Sequence, residues 1–188
     1  MPLVAALEVV KRLRTDEIVV TTMGTAREWP RLSQYPLDLH YIPSAMGQSP
    51  TLALGLALAR PEREVIAFTG DGSLLMNLGC LVTIVASGAK NLTLVVIDNG
   101  VYEVTGGQRT AGAVAGVDFA AMARGAGFAS VERFDDLTAW QQQAAAAFKR
   151  PGPRCIVLVT EPERGDYSLN MPGPLVPRLE KFRAALEG

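Results

Sequence analysis

Apolar positions along the chain fall into two rhythms, helical steps and short unbroken runs. Leu3, Val4, Leu7, Val10 and Leu13 recur every three or four residues, with Lys11, Arg12 and Arg14 gathered late. Residues 3–14 therefore read as an amphipathic helix with a cationic last turn. The stretches Glu17 to Thr22, Val65 to Thr69, Leu92 to Ile97, Ala129 to Arg133 and Arg154 to Thr160 predict short strands. Helical patterns lie between them. A loop beginning at Ser44 enters a small-residue helix that ends at Ala59. A second helix runs from near Ser73 to Gly88, with Leu74, Leu75, Leu78, Leu81, Val82 and Val85 as its buried face. Gly88 suits the left-handed position that ends a helix. Asp118 to Gly127, with Asp118 as N-cap, Asp135 to Arg150 and Val176 to Leu186 complete the helices. Met23-Gly24-Thr25 reads as a small-residue turn, and residues 30–45 and 100–116 read as irregular. Apolar strands separated by helices predict an α/β fold, a mostly parallel sheet of about five or six strands with helices on both faces.

Composition narrows the function without naming it. A chain of 188 residues fits one domain, 1–188, and the tail 161–188, with its Pro-Gly-Pro, reads as a C-terminal arm suited to packing on another subunit. Apolar residues make up 48% and charged residues 20%, as in ordinary soluble globular proteins. A net charge of −1 leaves no footprint for nucleic acid or an anionic membrane surface. The apolar runs are too short to span a bilayer, and the N-terminal basic residues follow the apolar ones, the reverse of a signal peptide. Cys80 and Cys155 sit in apolar contexts and read as reduced core thiols, so a cytoplasmic location is expected. His40 is the lone histidine and reads as a loop or surface residue. Without a partner Cys or second His it makes no zinc site.

The chemistry concentrates between Glu64 and Gly107. Gly70 and Gly72 suit a tight turn after the Val65 strand, and a helix starting beyond it aims free N–H groups at whatever lies above. Asp71 is out of place in a plain phosphate cradle, because its carboxylate repels an anion. The conflict disappears if a divalent cation lies between Asp71 and phosphate oxygens, since Mg²⁺ takes oxygen ligands and bridges protein to phosphate. Asn99 supplies a second oxygen, with 26 residues between it and Gly72, a spacing that fits one helix and one strand returning beside the first. The carbonyl of Val101 is a candidate third ligand.

Gly70-Asp71-Gly72 followed by Asp98-Asn99 resembles the diphosphate-binding motif of thiamine-diphosphate enzymes, GDG and then NN, with Asp98 in place of the first Asn. Ser44-Ala45-Met46-Gly47 upstream and Tyr102, Thr105, Gly106, Gly107 and Gln108 downstream extend the match. Over nearly its whole length the chain resembles the β subunit of sulfopyruvate or phosphonopyruvate decarboxylases. The resemblance implies thiamine diphosphate and Mg²⁺ as cofactors, with Asp71, Asn99 and Val101 on the metal. It implies cofactor contacts from Gly24, Thr25, Ser44, Met46, Gly70, Asp71, Gly72, Ser73, Asn99, Val101 and Tyr102. Met46 would prop the cofactor into its bent form, and the Ser44 carbonyl would accept from its amino group. Read alone, Gly24 and Thr25 fit a helix cap equally well, and Met46 fits the core. Glu103, Thr105 and Gln108 fall where catalytic residues are expected. A small 2-oxo acid is the implied substrate, of the 3-sulfo- or 3-phosphono-pyruvate type. The glutamate that activates the cofactor belongs, in the family, to a separate pyrimidine-binding domain, which implies an α subunit and a hetero- or homo-oligomer.

Glu103 is awkward beside a doubly anionic substrate unless it points away or pairs with Arg109; a proton-donor role is the alternative. Arg109 itself reads either as a partner for a substrate anion or as a solvated surface residue. The loop from Gly100 reads as a lid over the reacting centre. Three rival readings remain. A nicotinamide dehydrogenase lacks its third glycine in GDGSLL. A non-catalytic α/β module would hold no cofactor through Asp71 and Asn99. Another thiamine class, an acetolactate-synthase-like fragment or a 2-oxoacid oxidoreductase β chain, is the stronger rival, although two isolated cysteines argue against the oxidoreductase's iron–sulfur cluster.

Overall fold

The computed structural model describes residues 1–40, 46–163 and 173–187. Helix α1 (Leu3–Leu13) leads into β1 (Ile18–Thr21), α2 (Met23–Leu32) and β2 (Asp38–His40). Next come α3 (Ser49–Ala59), β3 (Val65–Gly70), α4 (Asp71–Leu75), α5 (Cys80–Ser87) and β4 (Leu92–Asp98). A small antiparallel hairpin, β5 (Val101–Tyr102) and β6 (Gln108–Arg109), encloses a 3₁₀ turn at Glu103–Thr105. The chain continues through α6 (Ala111–Ala115), α7 (Phe119–Ala126), β7 (Ser130–Phe134), α8 (Leu137–Phe148), β8 (Arg154–Val159) and α9 (Leu175–Glu187).

Six strands form one sheet in the order β2-β1-β3-β4-β8-β7, with every neighbouring pair parallel. The fold is the α/β arrangement that the apolar runs predict. Alternate residues of each strand feed opposite cores. Val20, Ala67, Leu94, Val96 and Val157 pack beneath α3, α5 and α7, and Phe182 of α9 joins the same cluster. Val19, Ile66, Phe68, Val95, Ile97 and Leu158 pack against α1, Trp29 of α2 and Trp140 of α8. A sheet covered on both faces needs apolar residues at both parities, which is why the strands read as runs rather than alternations. The two indoles keep a hydrogen bond while fully buried: Trp29 Nε1 donates to Asp38 and Trp140 Nε1 to the Ala6 carbonyl.

Several local expectations need correction. Met23-Gly24-Thr25 is the first turn of α2 rather than a connecting turn, entered through Met23 at φ 53°. Within the irregular stretch 30–45, Asp38–His40 is an edge strand, with Leu39 buried in the core. The helix expected from Ser73 to Gly88 starts at Asp71 and is broken between Leu75 and Cys80. That break rotates Val82 out to solvent, 61% exposed, although the periodicity placed it inward. The stretch 100–116 is a hairpin and a short helix, not a structureless loop. The helix expected from Asp135 to Arg150 runs from Leu137 to Phe148, with Asp136 as its cap accepting from the Ala139 N–H.

Both cysteines are free and buried, and burial pushes their thiols up to about 11 for Cys80 and about 12 for Cys155. No helix among the described residues is long and apolar enough to cross a membrane.

Candidate functional site

Strand order decides where a site can form. The chain moves outward from β1 to β2 and then returns to the other side of β1 as β3. Loops leaving the carboxyl ends of β1 and β3 therefore part in opposite directions and open a crevice, the usual ligand position in such sheets. The register pairs Gly70 of β3 with Ile97 of β4, so Asp71 and Asn99 leave neighbouring strand ends.

A cleft lies at this point. Its walls are Thr22 to Thr25 after β1, Met46, Gly70 to Ser73 after β3, Ile97 and Asn99 after β4, and Val101 to Thr105 of the hairpin, with Leu3 at one side. Of the residues singled out from sequence, Gly24, Thr25, Met46, Gly70, Asp71, Gly72, Ser73, Asn99, Val101, Tyr102, Glu103 and Thr105 all line it. Gln108 stands outside the wall, on the exposed hairpin, where its side chain exchanges hydrogen bonds with Thr105. Ser44 lies outside the described residues. His40 is on the sheet edge beyond the cleft wall, its Nδ1 2.9 Å from the Thr21 hydroxyl, and burial holds its pKa below the ordinary value.

Asp71 is 1% exposed and has no cationic side chain paired with it among the described residues. Burial pushes its carboxyl pKa up. The Thr110 hydroxyl, which donates to Oδ2 at 2.7 Å, and the N–H groups of Gly72 and Gly100 oppose that shift. A buried carboxylate held by neutral donors is costly unless a cation completes it. Asn99 is fixed at both ends. Its Oδ1 accepts from the Val101 N–H at 3.0 Å and its Nδ2 donates to Glu103 Oε1 at 2.8 Å. An amide oxygen has a second lone pair, so Oδ1 retains capacity for a metal. Among the described residues no three His, Cys, Asp or Glu side chains converge. A cation here would lean on Asp71, Asn99, a backbone carbonyl and the ligand's own oxygens, the donor set that Mg²⁺ prefers with phosphates.

The turn is equally specific. A Cβ on Gly72 would overlap the Tyr102 ring and come within 2.9 Å of Thr110 Cγ2, so only glycine lets the backbone pass beneath the hairpin. Ser73 Oγ accepts from the Gly47 N–H at 2.7 Å, and Asn77 Nδ2 donates to the Gly47 carbonyl at 2.9 Å. Together these two residues hold the loop that carries Met46. The Ser73 hydroxyl keeps its own proton to donate. These features fit a metal–diphosphate group. Gly72→Ala is expected to weaken cofactor binding at least tenfold while costing about 1–3 kcal/mol of stability. Calorimetry and urea unfolding on the same preparation check both.

Three contributors escaped the sequence reading. Thr110 is 39 residues from the carboxylate it holds. Asn77 clamps Gly47 from 30 residues away. Thr22 puts a buried hydroxyl in the cleft wall. Nothing in local periodicity marks any of them. Glu103 was awkward as a neighbour for an anionic substrate; the structure keeps it in the cleft wall with its Oε1 engaged, accepting from Asn99 and from the Glu163 N–H at 2.9 Å. Arg109 is instead exposed and donates to the Ala113 carbonyl.

Burial is the largest cause raising the pKa values of Asp71, Asp98 and Glu103. The metal-free fold thus holds more protons than the unfolded chain in the window from the ordinary carboxylate range up to these raised values. Stability is favoured below that window and falls as pH rises through it. Thermal unfolding of metal-free protein across pH 4 to 8 should show that downward trend, and Asp98→Asn should flatten it. Metal binding runs the other way, weakening as the pH falls and Asp71 takes up a proton.

The cleft encloses only about 60 Å³, against roughly 300–1,000 Å³ for typical small-molecule sites. The described residues thus enclose less space than a typical small-molecule site.

Residues 19–158 match the family model described as "Thiamine pyrophosphate enzyme, C-terminal TPP binding domain". The chain is 40% identical over 162 residues to a phosphonopyruvate decarboxylase of Streptomyces viridochromogenes, an alignment that spans 85% of this chain and 40% of that protein. It is 38% identical over 135 residues to a sulfopyruvate decarboxylase subunit beta of Methanothermobacter thermautotrophicus, covering 71% of each. The solved structure of benzoylformate decarboxylase from Polynucleobacter necessarius superposes with a TM-score of 0.68 at 20% identity, over 88% of this chain and 34% of that one, a likeness of fold. With the family model covering residues 19–158, the chain belongs to the thiamine pyrophosphate enzymes, as a C-terminal TPP-binding domain.

Proposed function

We propose that this chain is the diphosphate- and Mg²⁺-binding subunit of a thiamine-diphosphate-dependent 2-oxo acid decarboxylase, acting on a 3-sulfo- or 3-phosphono-pyruvate-like substrate. The observation that carries this reading is Asp71, a buried carboxylate without a cationic partner among the described residues, set beside Asn99 at a strand-end crevice. Asp71, Asn99 and the Val101 carbonyl would hold the metal. The Gly70–Gly72 turn and Ser73 would hold the diphosphate, with Gly24 and Thr25 closing from the β1 side. Met46, kept in place by Ser73 and Asn77 through Gly47, would support the thiamine rings. When bound, thiamine diphosphate supplies the nucleophilic carbon and the electron sink that a 2-oxo acid needs to lose CO₂.

The chain's own residues orient and exclude. Ile97, Leu3 and Val104 make part of the cleft wall apolar, which strengthens charge interactions inside it. The hairpin, tied by Thr105 and Gln108, contributes Val101 to Thr105 to the cleft wall, where a substrate would meet it. Gln108, one hydrogen bond behind Thr105, would act from the rim.

The same reading requires a partner. The small cleft and relatives named as a subunit beta support an α subunit that brings the pyrimidine-binding domain and its glutamate. Residues 1–188 would then be one cofactor-binding domain with the stretch from 161 as its arm, in a cytoplasmic oligomer. Decarboxylation of sulfopyruvate and phosphonopyruvate by this chain co-purified with such a partner, measured as CO₂ release with and without EDTA, tests the assignment. Turnover of neither acid by a complex that binds thiamine diphosphate would refute the substrate class while leaving the cofactor.

A further inference from the structure

We infer that Glu103 is a positioning residue that sets the metal affinity of the site by aiming Asn99, rather than an acid or base toward substrate. The inference rests on the proposed cofactor reading and deepens it. Glu103 is 8% exposed and opens the 3₁₀ turn of the hairpin. Its carboxylate joins three segments that leave different strand ends. Oε1 accepts from Asn99 Nδ2 at 2.8 Å after β4 and from the Glu163 N–H at 2.9 Å after β8. Oε2 packs on Gly24 after β1, 3.2 Å from where a side chain there would begin.

An asparagine amide presents oxygen or nitrogen depending on its neighbours. At position 99 both neighbours agree. Glu103 can only accept, so it takes the NH₂ end, and the Val101 N–H can only donate, so it takes the oxygen. Oδ1 is thereby locked toward the backbone of the β5 strand, on the cleft side. Without Glu103 the amide keeps one tether and gains rotational freedom, and a flipped amide would present NH₂ to a cation. Such partners behind a ligand typically control metal affinity by about 10–100-fold. The geometry also limits a proton-transfer role. Oε1 already carries two donors, and Oε2 faces the Gly24 backbone.

Gln at 103 keeps a carbonyl oxygen able to accept both bonds, whereas Ala keeps neither. The test is calorimetric titration of Mg²⁺ in the presence of saturating thiamine diphosphate, on wild type, Glu103→Gln and Glu103→Ala, using the chain with its partner subunit. Glu103→Ala should weaken Mg²⁺ binding about 10–100-fold, with thiamine diphosphate affinity at saturating Mg²⁺ changed less than about threefold. Glu103→Gln should stay within about threefold of wild type in both. A general loosening of the cleft would lower both affinities together and count against the inference. Equal losses in Gln and Ala would overturn it, since the carboxylate charge would then be what matters. So would an Ala variant that binds Mg²⁺ like wild type.

A second measurement needs no ligand. In protein labelled with ¹⁵N-asparagine, the Asn99 side-chain NH₂ signals should shift and exchange faster with water in Glu103→Ala but not in Glu103→Gln. An unchanged Ala spectrum would show that Glu103 does not hold Asn99. If wild type takes up no metal while the Ala spectrum changes as expected, the cofactor reading fails and the Glu103–Asn99 bond stands.

Discussion

Replacing Asp71 with alanine or asparagine removes metal-dependent thiamine diphosphate binding, by more than about 100-fold, without unfolding the chain. The carboxylate is the one anionic side chain of the three metal-site groups, and a neutral amide in its place gives up the charge that draws the cation. Stability should move in the opposite direction. In the metal-free fold the buried carboxylate has the Thr110 hydroxyl and backbone N–H groups but no cation to complete it. Asp71→Asn relieves the burial of charge and keeps an oxygen for Thr110, so its unligated melting temperature should equal or exceed that of wild type. Wild type should gain stability when Mg²⁺ and thiamine diphosphate are added, and the variant should not. Calorimetry with Mg²⁺ and then EDTA, paired with thermal unfolding, reads both halves. Retained, metal-dependent affinity in Asp71→Ala would falsify the site.

The second large effect lies at the other end of the strands. Gly152 precedes β8, and a Cβ there would fall on the Lys90 carbonyl oxygen and 2.8 Å from its carbonyl carbon. Backbone cannot swing aside as a side-chain tip can. The Lys90 segment leads directly into β4, the strand paired with both β3 and β8. Gly152→Ala should therefore cost about 3 kcal/mol or more, lowering the melting temperature by roughly 6–12 °C for a chain of this size. Asp71 and Asn99 sit at the opposite, carboxyl ends of the strands, so the fraction that remains folded should bind cofactor normally. Urea unfolding and a binding titration below the transition separate the two. A stability change under about 1 kcal/mol would show that the β8 entry yields more readily than this packing implies.

The amino-acid sequence by itself determined the fold class, most of the elements and where the motif residues fall. Strands that are apolar at both parities, as in Leu94–Val95–Val96–Ile97, read as a sheet covered on both faces because each side chain in turn meets one of two cores. The glycines around Asp71, with Asn99 one helix and one strand later, pointed to the metal–diphosphate turn proposed above, because a carboxylate in a phosphate cradle calls for a cation between them. Boundaries were legible where a side chain closes a local hydrogen bond, as at Asp118, and illegible where a break depends on what packs above, as between α4 and α5. The hairpin inside 100–116 was missed because its two-residue strands are too short to carry a period.

Only the tertiary structure decided which of the remaining polar groups serve the site. Thr110 reaches Asp71, Asn77 clamps Gly47, and the Glu163 backbone reaches Glu103 across 39, 30 and 60 residues of sequence. Those meetings depend on the strand order β2-β1-β3-β4-β8-β7 and on the register that brings Gly70 level with Ile97. Local sequence sets each strand's periodicity, but strand order and register come from the balance of packing across both cores at once. The partners of Asp71 and Asn99 therefore became visible only when the sheet was assembled.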